Sequence, residues 1–248
     1  MGQCMIALTV TWCRICLGII TILIITLVLL GLFCMQLFVM ATRKKGNSRT
    51  KISELQVQIA NNNNDPLDQL IEFSMCKFQR DDLRLTISRC RALDASKELR
   101  DFVFLLTELN MRDMYEQSDW GWNASQKKKE LSDKTSQYLI VKDDLNNDAV
   151  VGFVHFRFDI DFDRAVLYCY EIQLVKAVQR RGIGAHLMDI LYKLAERFKM
   201  KKVILTVFKH NLQALNFYTK KLNFRRDTTD PKENHIDYTI LSKKVEKD

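Results

Sequence analysis

A chain of 248 residues that is 47% hydrophobic, with only two prolines, can bury one substantial core, which argues against a string of small modules. The formal charge of +8 lies almost wholly after residue 42, because Arg14 is the only charged side chain before Arg43. Two solvents are therefore implied, and the seven cysteines form no paired pattern that would imply a disulfide framework.

Between Arg14 and Arg43 runs ICLGIITILIITLVLLGLFCMQLFVMAT, longer than the ~20 residues a helix needs to cross a bilayer. Residues 1–42 read as a transmembrane-like signal anchor; a cleaved signal peptide, with an apolar region of roughly 7 to 15 residues, fits less well. Arg43, Lys44, Lys45, Arg49 and Lys51 follow, and the positive-inside tendency then places the C-terminal part in the cytosol, membrane-anchored if residues 1–42 are retained. Asn123-Ala124-Ser125 is a glycosylation acceptor that only a lumenal domain would use, although such tripeptides are common by chance. Met40 opens MATRKKGNSR, which also reads as the basic start of a working form without the apolar segment. Cys13 and Cys16 have the spacing of a metal or redox pair, but with no second pair S-acylation is the better reading.

Residues 43–64 are polar and read as a basic linker, leaving 65–248 as the folded domain. LRLTISRC (83–90) alternates as a strand does. After Asp94 and Ser96, either able to cap, Leu99, Phe102, Val103, Leu106 and Leu109 recur at helical spacing up to MYEQSDWGW. Three strands follow without intervening helices, QYLIVK (137–142), VVGFVHFRF (150–158) and AVLYCYEIQL (165–174). A helix with Leu187, Leu191, Leu194 and Phe198 on one face, a buried strand KKVILTVFK (201–209), a helix NLQALNFYTKKL (211–222) and a strand HIDYTIL (235–241) complete the chain. This order predicts an α/β fold, a mixed central β-sheet flanked by helices, and disfavours a doubly wound dinucleotide fold.

Gly182 and Gly184 stand two residues apart where a helix begins. Helix N-termini carry unpaired N–H groups and partial positive charge, and glycine lets a ligand approach the backbone. Gln179-Arg180-Arg181-Gly182-Ile183-Gly184, entering a helix at Ala185, therefore reads as a pyrophosphate cradle, against the plainer reading of an ordinary turn with a solvated basic face.

That motif, after a strand and before a helix, resembles the acetyl-CoA signature of the GCN5-related N-acetyltransferase (GNAT) superfamily, and KHNLQALNFYTKKLNF resembles the family's second half. MYEQSDWGW, FRFD, LYCYEIQL and MKKVILTVFKHN are closer still to the N-alpha-acetyltransferase D type, over roughly residues 65–243. The resemblance implies a GNAT fold, acetyl-CoA as donor, and as acceptor the N-terminal serine of histones 4 and 2A, whose tails begin Ser-Gly-Arg-Gly. It also implies a cytoplasmic and nuclear location, with the ribosome as a partner if acetylation occurs during translation.

Acetyl transfer to an amine needs a base, a polarised carbonyl and a proton for the leaving thiolate. Glu171, the only carboxylate in the strand entering the cradle, is the candidate base, against an exposed strand residue; a β-bulge would let it share a cavity with Tyr168 and Tyr170. The backbone of Ile172, Gln173 and Leu174 would polarise the carbonyl. Tyr218 is an even choice between thiolate acid and packing residue, and Asn211 between cofactor contact and helix cap. Asn223 stands where the superfamily commonly has glycine. By resemblance Tyr115, Trp120, Tyr168, Tyr170 and Tyr238 close over the peptide, against core packing, and Asp159 and Asp161 read an amine or Arg, with Asp163 extending the acidic strip, against a solvated loop. His155, His186, His210 and His235 lack ligand spacing, so no metal is expected. Two competing readings are a membrane-anchored GNAT acting on other N-termini or small amines, and a non-catalytic acetyl-CoA-binding scaffold.

Overall fold

The computed structural model describes residues 48–233 and 235–246. Backbone contacts divide the chain into Met1–Lys51 and Ile52–Asp248, and the second unit contains the whole sheet. The expected membrane-spanning segment, residues 1–42, lies outside the described residues; among those described, no helix is long and apolar enough to cross a membrane.

Eight strands form one sheet: β1 (Lys77–Arg80), β2 (Leu83–Arg91), β3 (Gln137–Asp143), β4 (Ala149–Asp161), β5 (Arg164–Leu174), β6 (Lys202–Phe208), β7 (Arg225–Arg226) and β8 (Tyr238–Lys244). Their spatial order is β1-β2-β3-β4-β5-β6-β8-β7, with β5 and β6 parallel and every other pair antiparallel. The mixed sheet expected from the element order is present. The strands β1 and β7 carry no sequence signal because they are short, exposed and charged, which suits sheet edges.

Two helices, α1 (residues 52–62) and α2 (Leu67–Leu70), precede β1. Both faces of the sheet are covered, so its central strands are largely apolar instead of alternating. From β3, Leu139 and Val141 enter one buried cluster with Leu187, Leu191 and Leu194 of α5 (Ile183–Arg197). Tyr138 and Ile140 enter the opposite cluster with Val103, Phe104 and Leu106 of α3 (Lys97–Glu116). Ser96, one of the two expected caps, accepts from the Leu99 N–H at 3.2 Å.

Two helical stretches depart from the sequence reading. Residues 52–62 of the expected linker are helical, and Ser53 and Ala60 are buried. Asn61 donates to the Phe158 carbonyl at 3.1 Å, which ties this helix to β4. The other is α4 (Ala124–Leu131), whose ASQKKKEL sequence buries only Lys127 and Leu131 and so shows no hydrophobic stripe. Asn123, the potential glycan acceptor, caps α4 by accepting from the Gln126 N–H at 2.9 Å.

The helix predicted over 211–222 begins as α6 (Leu212–Asn216) and widens into a π turn at Phe217–Lys221. Asn223 then has φ of 60°, the left-handed conformation that asparagine tolerates better than most residues.

Candidate active site

The site is made by a defect in the sheet. The strands β4 and β5 pair in register from Gly152↔Leu174 to His155↔Glu171, then resume at Phe156↔Cys169, leaving Tyr170 as the extra residue of a bulge. That extra residue lets Tyr168, Tyr170 and Glu171 line one cleft, where strict alternation would have separated Glu171 from both tyrosines. The parallel pairing of β5 with β6 also stops here, at Cys169↔Leu205, and the two strands part. A cleft of about 1120 Å³ occupies the gap.

The ladder sets which backbone groups the gap exposes. Val175 donates to the Val151 carbonyl at 2.9 Å. Antiparallel pairing alternates, so residues 173 and 171 also turn their backbone groups toward β4, whereas Ile172 and Leu174 turn theirs into the gap. The Leu174 carbonyl is taken by Gln179 Nε2 at 2.9 Å and by Asn110 Nδ2 at 3.2 Å. The N–H groups of Ile172 and Leu174 therefore face the cleft at the position required for a carbonyl acceptor.

The glycine turn closes one end. Arg180 at φ of 63° and Gly182 at φ of 92° are both left-handed, which brings the chain round sharply onto the first turn of α5. A Cβ on Gly184 would stand 3.2 Å from Cζ of Phe217, so only a bare backbone leaves the groove open between α5 and the π turn. Lys176, Arg180 and Lys221 line the cleft and place positive charge around it.

Behind the bulge lies a polar chain within hydrogen-bonding reach of its neighbours throughout. Glu171 accepts from Lys127 Nζ at 3.0 Å on one oxygen and from Gln173 Nε2 at 2.9 Å on the other. Gln173 Oε1 in turn accepts from Asn110 Nδ2 at 3.0 Å. Lys127 also donates to the Tyr115 hydroxyl and to Glu130, both at 2.7 Å. Burial works against the Lys127 ammonium, but the carboxylates of Glu171 and Glu130, with Tyr115, outweigh it and hold the group protonated above its ordinary range. Burial first, and the Glu171 charge second, raise the Tyr115 phenol. Tyr218 is buried, and that burial pushes its hydroxyl well above the usual range, so its proton is in place throughout neutral pH.

Of the residues singled out from sequence, Glu171, Tyr218, Ile172, Gln173, Leu174, Gln179, Arg180, Gly182, Gly184, Ala185 and Asn211 line the cleft together with Tyr115, Trp120, Tyr168 and Tyr170. Asn211 caps α6, accepting from the Ala214 N–H at 3.0 Å, and also lines the cleft. Tyr238 reaches the site through Trp120, with ring centroids 5.0 Å apart.

Four residues stand elsewhere. Arg181 is turned to the β1–β2 hairpin, where it pairs with Asp82 and, at 3.7 Å, with Asp81. Ile183 is buried in the core beneath α5. Asp159 is exposed and accepts from the neighbouring Ile160 N–H at 2.7 Å. Asp161 is paired at 2.6 Å with Lys202, which also holds Asp227 at 2.7 Å. Asp159 pairs with Val166, five residues from Glu171, and at ~3.3 Å per residue the strip lies about 16 Å along the hairpin from the base.

Sequence reasoning missed Lys127, Glu130, Lys176, Lys221 and Phe217. Lys127 carried no signal, being the first of three consecutive lysines on a helix without periodicity.

His155 is wholly buried, donating to or accepting from Ser136 Oγ at 2.9 Å through Nε2, while Nδ1 has no partner. Burial, with Arg157 adding to it, holds the imidazole neutral well below its ordinary pKa near 6.5. The unfolded chain therefore binds a proton below pH 6.5 that the folded chain refuses, and stability falls as pH drops through that range. Between pH 7.5 and 5.5 the wild type should lose ~1 kcal/mol more than His155→Gln in urea unfolding. Equal losses would show that the folded chain protonates His155 as readily as the unfolded chain does.

A family model described as the acetyltransferase (GNAT) family matches residues 100–224, half of the chain. The chain belongs to the GNAT acetyltransferase family. Among solved structures, it is similar to a GNAT-family acetyltransferase of Listeria monocytogenes, with 14% identity, TM-score 0.48 and coverage of 68% of this chain and 99% of that one. It is similar also to NAA60 of Arabidopsis thaliana in complex with a bisubstrate analogue, with 16% identity, TM-score 0.45 and coverage of 64% and 98%. A third is the PaiA N-acetyltransferase of Thermoplasma acidophilum in complex with coenzyme A, with 15% identity, TM-score 0.46 and coverage of 64% and 98%.

As a GNAT protein the chain uses acetyl-CoA as acetyl donor, and its residues fit that molecule. The bare Gly182–Gly184 backbone at the start of α5, with Arg180, Lys176 and Lys221 nearby, suits the pyrophosphate. The unpaired edge of β5 suits an amide-bearing arm lying in the gap. Acetyl-CoA supplies an activated acetyl thioester.

Proposed function

We propose that this GNAT protein is an N-terminal acetyltransferase of the N-alpha-acetyltransferase D type, acting on the α-amine of Ser-Gly-Arg-Gly starts such as those of histones 4 and 2A. The observation that carries the reading is the ring of Tyr115, Trp120, Tyr168 and Tyr170 lining the same cleft as the buried carboxylate of Glu171. Aromatic walls around a single acid suit an extended chain end with one amine, and the sequence signatures that carry the resemblance contribute these residues.

Glu171 receives the amine proton. An α-amino group titrates near pH 7.7–8.0, so a carboxylate is base enough at neutral pH. Ile172 and Leu174 N–H groups take the negative charge that develops on the carbonyl oxygen. The N–C bond would form as the C–S bond breaks; Tyr218 would give its proton to the departing sulfur, and the amine proton taken by Glu171 would then restore the phenol. Tyr218→Phe is expected to lower kcat ~100-fold with an unchanged KM for acetyl-CoA; unchanged kcat would leave Tyr218 a packing residue.

One observation favours a wider acceptor range. Among the described residues lining the cleft the only acids are Glu130 and Glu171, because Asp159 and Asp161 lie along the hairpin. Arg at the third position would then be read by Glu130, or by Asp159 and Asp161 beyond the cleft wall, whose charges act on Tyr170 and Tyr168. Acetylation by the full chain of peptides starting Ser-Gly-Arg-Gly, Ser-Gly-Ala-Gly, Met and Ala, all without free lysine, tests this. The D-type reading expects at least a ~10-fold preference in kcat/KM for Ser-Gly-Arg-Gly; equal rates would move the substrate to other N-termini or small amines. Binding of acetyl-CoA without any transfer would favour the scaffold. Histone tails as partners, in cytoplasm and nucleus or beside a membrane that residues 1–42 would engage, belong to the same proposal.

A further inference from the structure

The reaction as derived leaves Lys127 without a part. It does not line the cleft, yet it is a lysine with 6% of its side chain exposed, placed directly behind the candidate base. Lysines are almost never buried without a charged partner. Here there are two, and the arrangement is saturated: the three ammonium protons go to Glu171, Glu130 and the Tyr115 hydroxyl. No donor is left over for a substrate.

We propose that Lys127 is a positioning residue for Glu171, holding its carboxylate in one orientation against a fixed positive charge. The orientation follows from geometry. Lys127 holds one carboxylate oxygen and Gln173, itself held by Asn110, the other, so rotation about the carboxylate bond would break contacts on both sides. The charge follows from contact: the buried carboxylate of Glu171 and the partly exposed one of Glu130 bond the same ammonium. Without Lys127 two like charges would be left side by side, a repulsion the ammonium now offsets.

The groups facing the cluster are Tyr115 from α3, Lys127 and Glu130 from α4, Cys169 from β5 and Tyr218 from the π turn, with His155 acting on Lys127 from β4. Among the described residues Lys127 is the cation bonded to the Glu171 carboxylate; Arg157 of β4 lies over the Tyr170 ring and on the Glu130 backbone carbonyl, and His155 is held neutral. Its removal therefore acts on Glu171 in one direction.

This proposal rests on Glu171 being the base. The test compares wild type, Lys127→Met and Lys127→Arg in the full chain, by three readouts: the Kd for acetyl-CoA, the pH profile of kcat/KM for the peptide amine, and an infrared titration of the Glu171 carboxylate, identified by its loss in Glu171→Gln. Lys127→Met is expected to bind acetyl-CoA as wild type does and to lose kcat ~100-fold. Its acidic limb and the carboxylate band should both move to higher pH, because the cation bonded to Glu171 is gone. Lys127→Arg should restore most of both. A lower kcat with limb and titration in place, or loss of acetyl-CoA binding, would make Lys127 a purely structural residue and overturn the proposal. If Lys127→Met does not fold, Glu130→Gln supplies the second arm: leaving Lys127 to Glu171 alone, it should move the titration down, and an unmoved titration overturns the proposal. The infrared measurement needs no turnover, so a shifted titration in a protein that acetylates no amine would defeat the functional reading and leave the role of Lys127 standing.

Discussion

Glu171→Gln is expected to lower kcat by roughly 10²–10⁴-fold while leaving acetyl-CoA binding within a few-fold of wild type. The substitution keeps the shape and one acceptor oxygen but removes the site that takes the amine proton. The pyrophosphate cradle, formed by the turn before α5, is untouched by it. Some stability is lost as well, because Lys127 keeps only Glu130 as a charged partner, and breaking one side of a buried pair costs roughly 3–5 kcal/mol when nothing replaces it. Turnover is therefore to be compared at a temperature where circular dichroism shows both proteins folded. Unchanged turnover would remove Glu171 as base.

Gly184→Val should do the reverse, abolishing cofactor binding in a protein whose base is intact. The Cβ alone would lie 3.2 Å from Cζ of Phe217 and 3.9 Å from Cδ1 of Ile172, and the two methyl groups beyond it would fill the groove. The position has no left-handed φ, so the helix itself tolerates a side chain and the fold should persist. Titration calorimetry is expected to show the Kd for acetyl-CoA raised at least ~100-fold, about 2.7 kcal/mol. Unaltered affinity would mean that the arm and phosphates bind away from this turn.

The sequence announced these two effects unequally. The cradle was legible because its chemistry is local: two glycines, flanking cations and a helix start are adjacent in the chain, and the same six residues form the turn. The position of Glu171 was half legible. The carboxylate stands out in an apolar strand, but period-two alternation puts it on the wrong face, and only the extra residue at Tyr170, a property of pairing with β4, brings it to the cleft. Lys127 was not legible at all, since its partner is 44 residues away and its neighbours Lys128 and Lys129 are exposed.

The position of Asp159 and Asp161 along the hairpin was hidden for the same reason. An acid's distance along the sequence from a base says little once the chain has turned through a hairpin, and the hairpin turn takes these residues away from the bulge. Lys202, read only as part of a buried strand, claims the charge of Asp161. The fold was easier, because apolar strands of five to ten residues and one well-capped amphipathic helix announce themselves without reference to distant partners. Its losses were the elements that lack apolar periodicity: α4, the edge strands, and the helix over residues 52–62 that fastens to β4 through Asn61.

The most direct test is the position of the acetyl group on a single peptide. The full chain, acetyl-CoA and a Ser-Gly-Arg-Gly peptide carrying one internal lysine would be followed by fragmentation mass spectrometry, with and without a blocked α-amine. Acetylation is expected on the terminal nitrogen alone, and none once that nitrogen is blocked. Acetyl on the lysine side chain in either case would contradict it, because the cleft would then be accepting a side-chain amine and not a chain end.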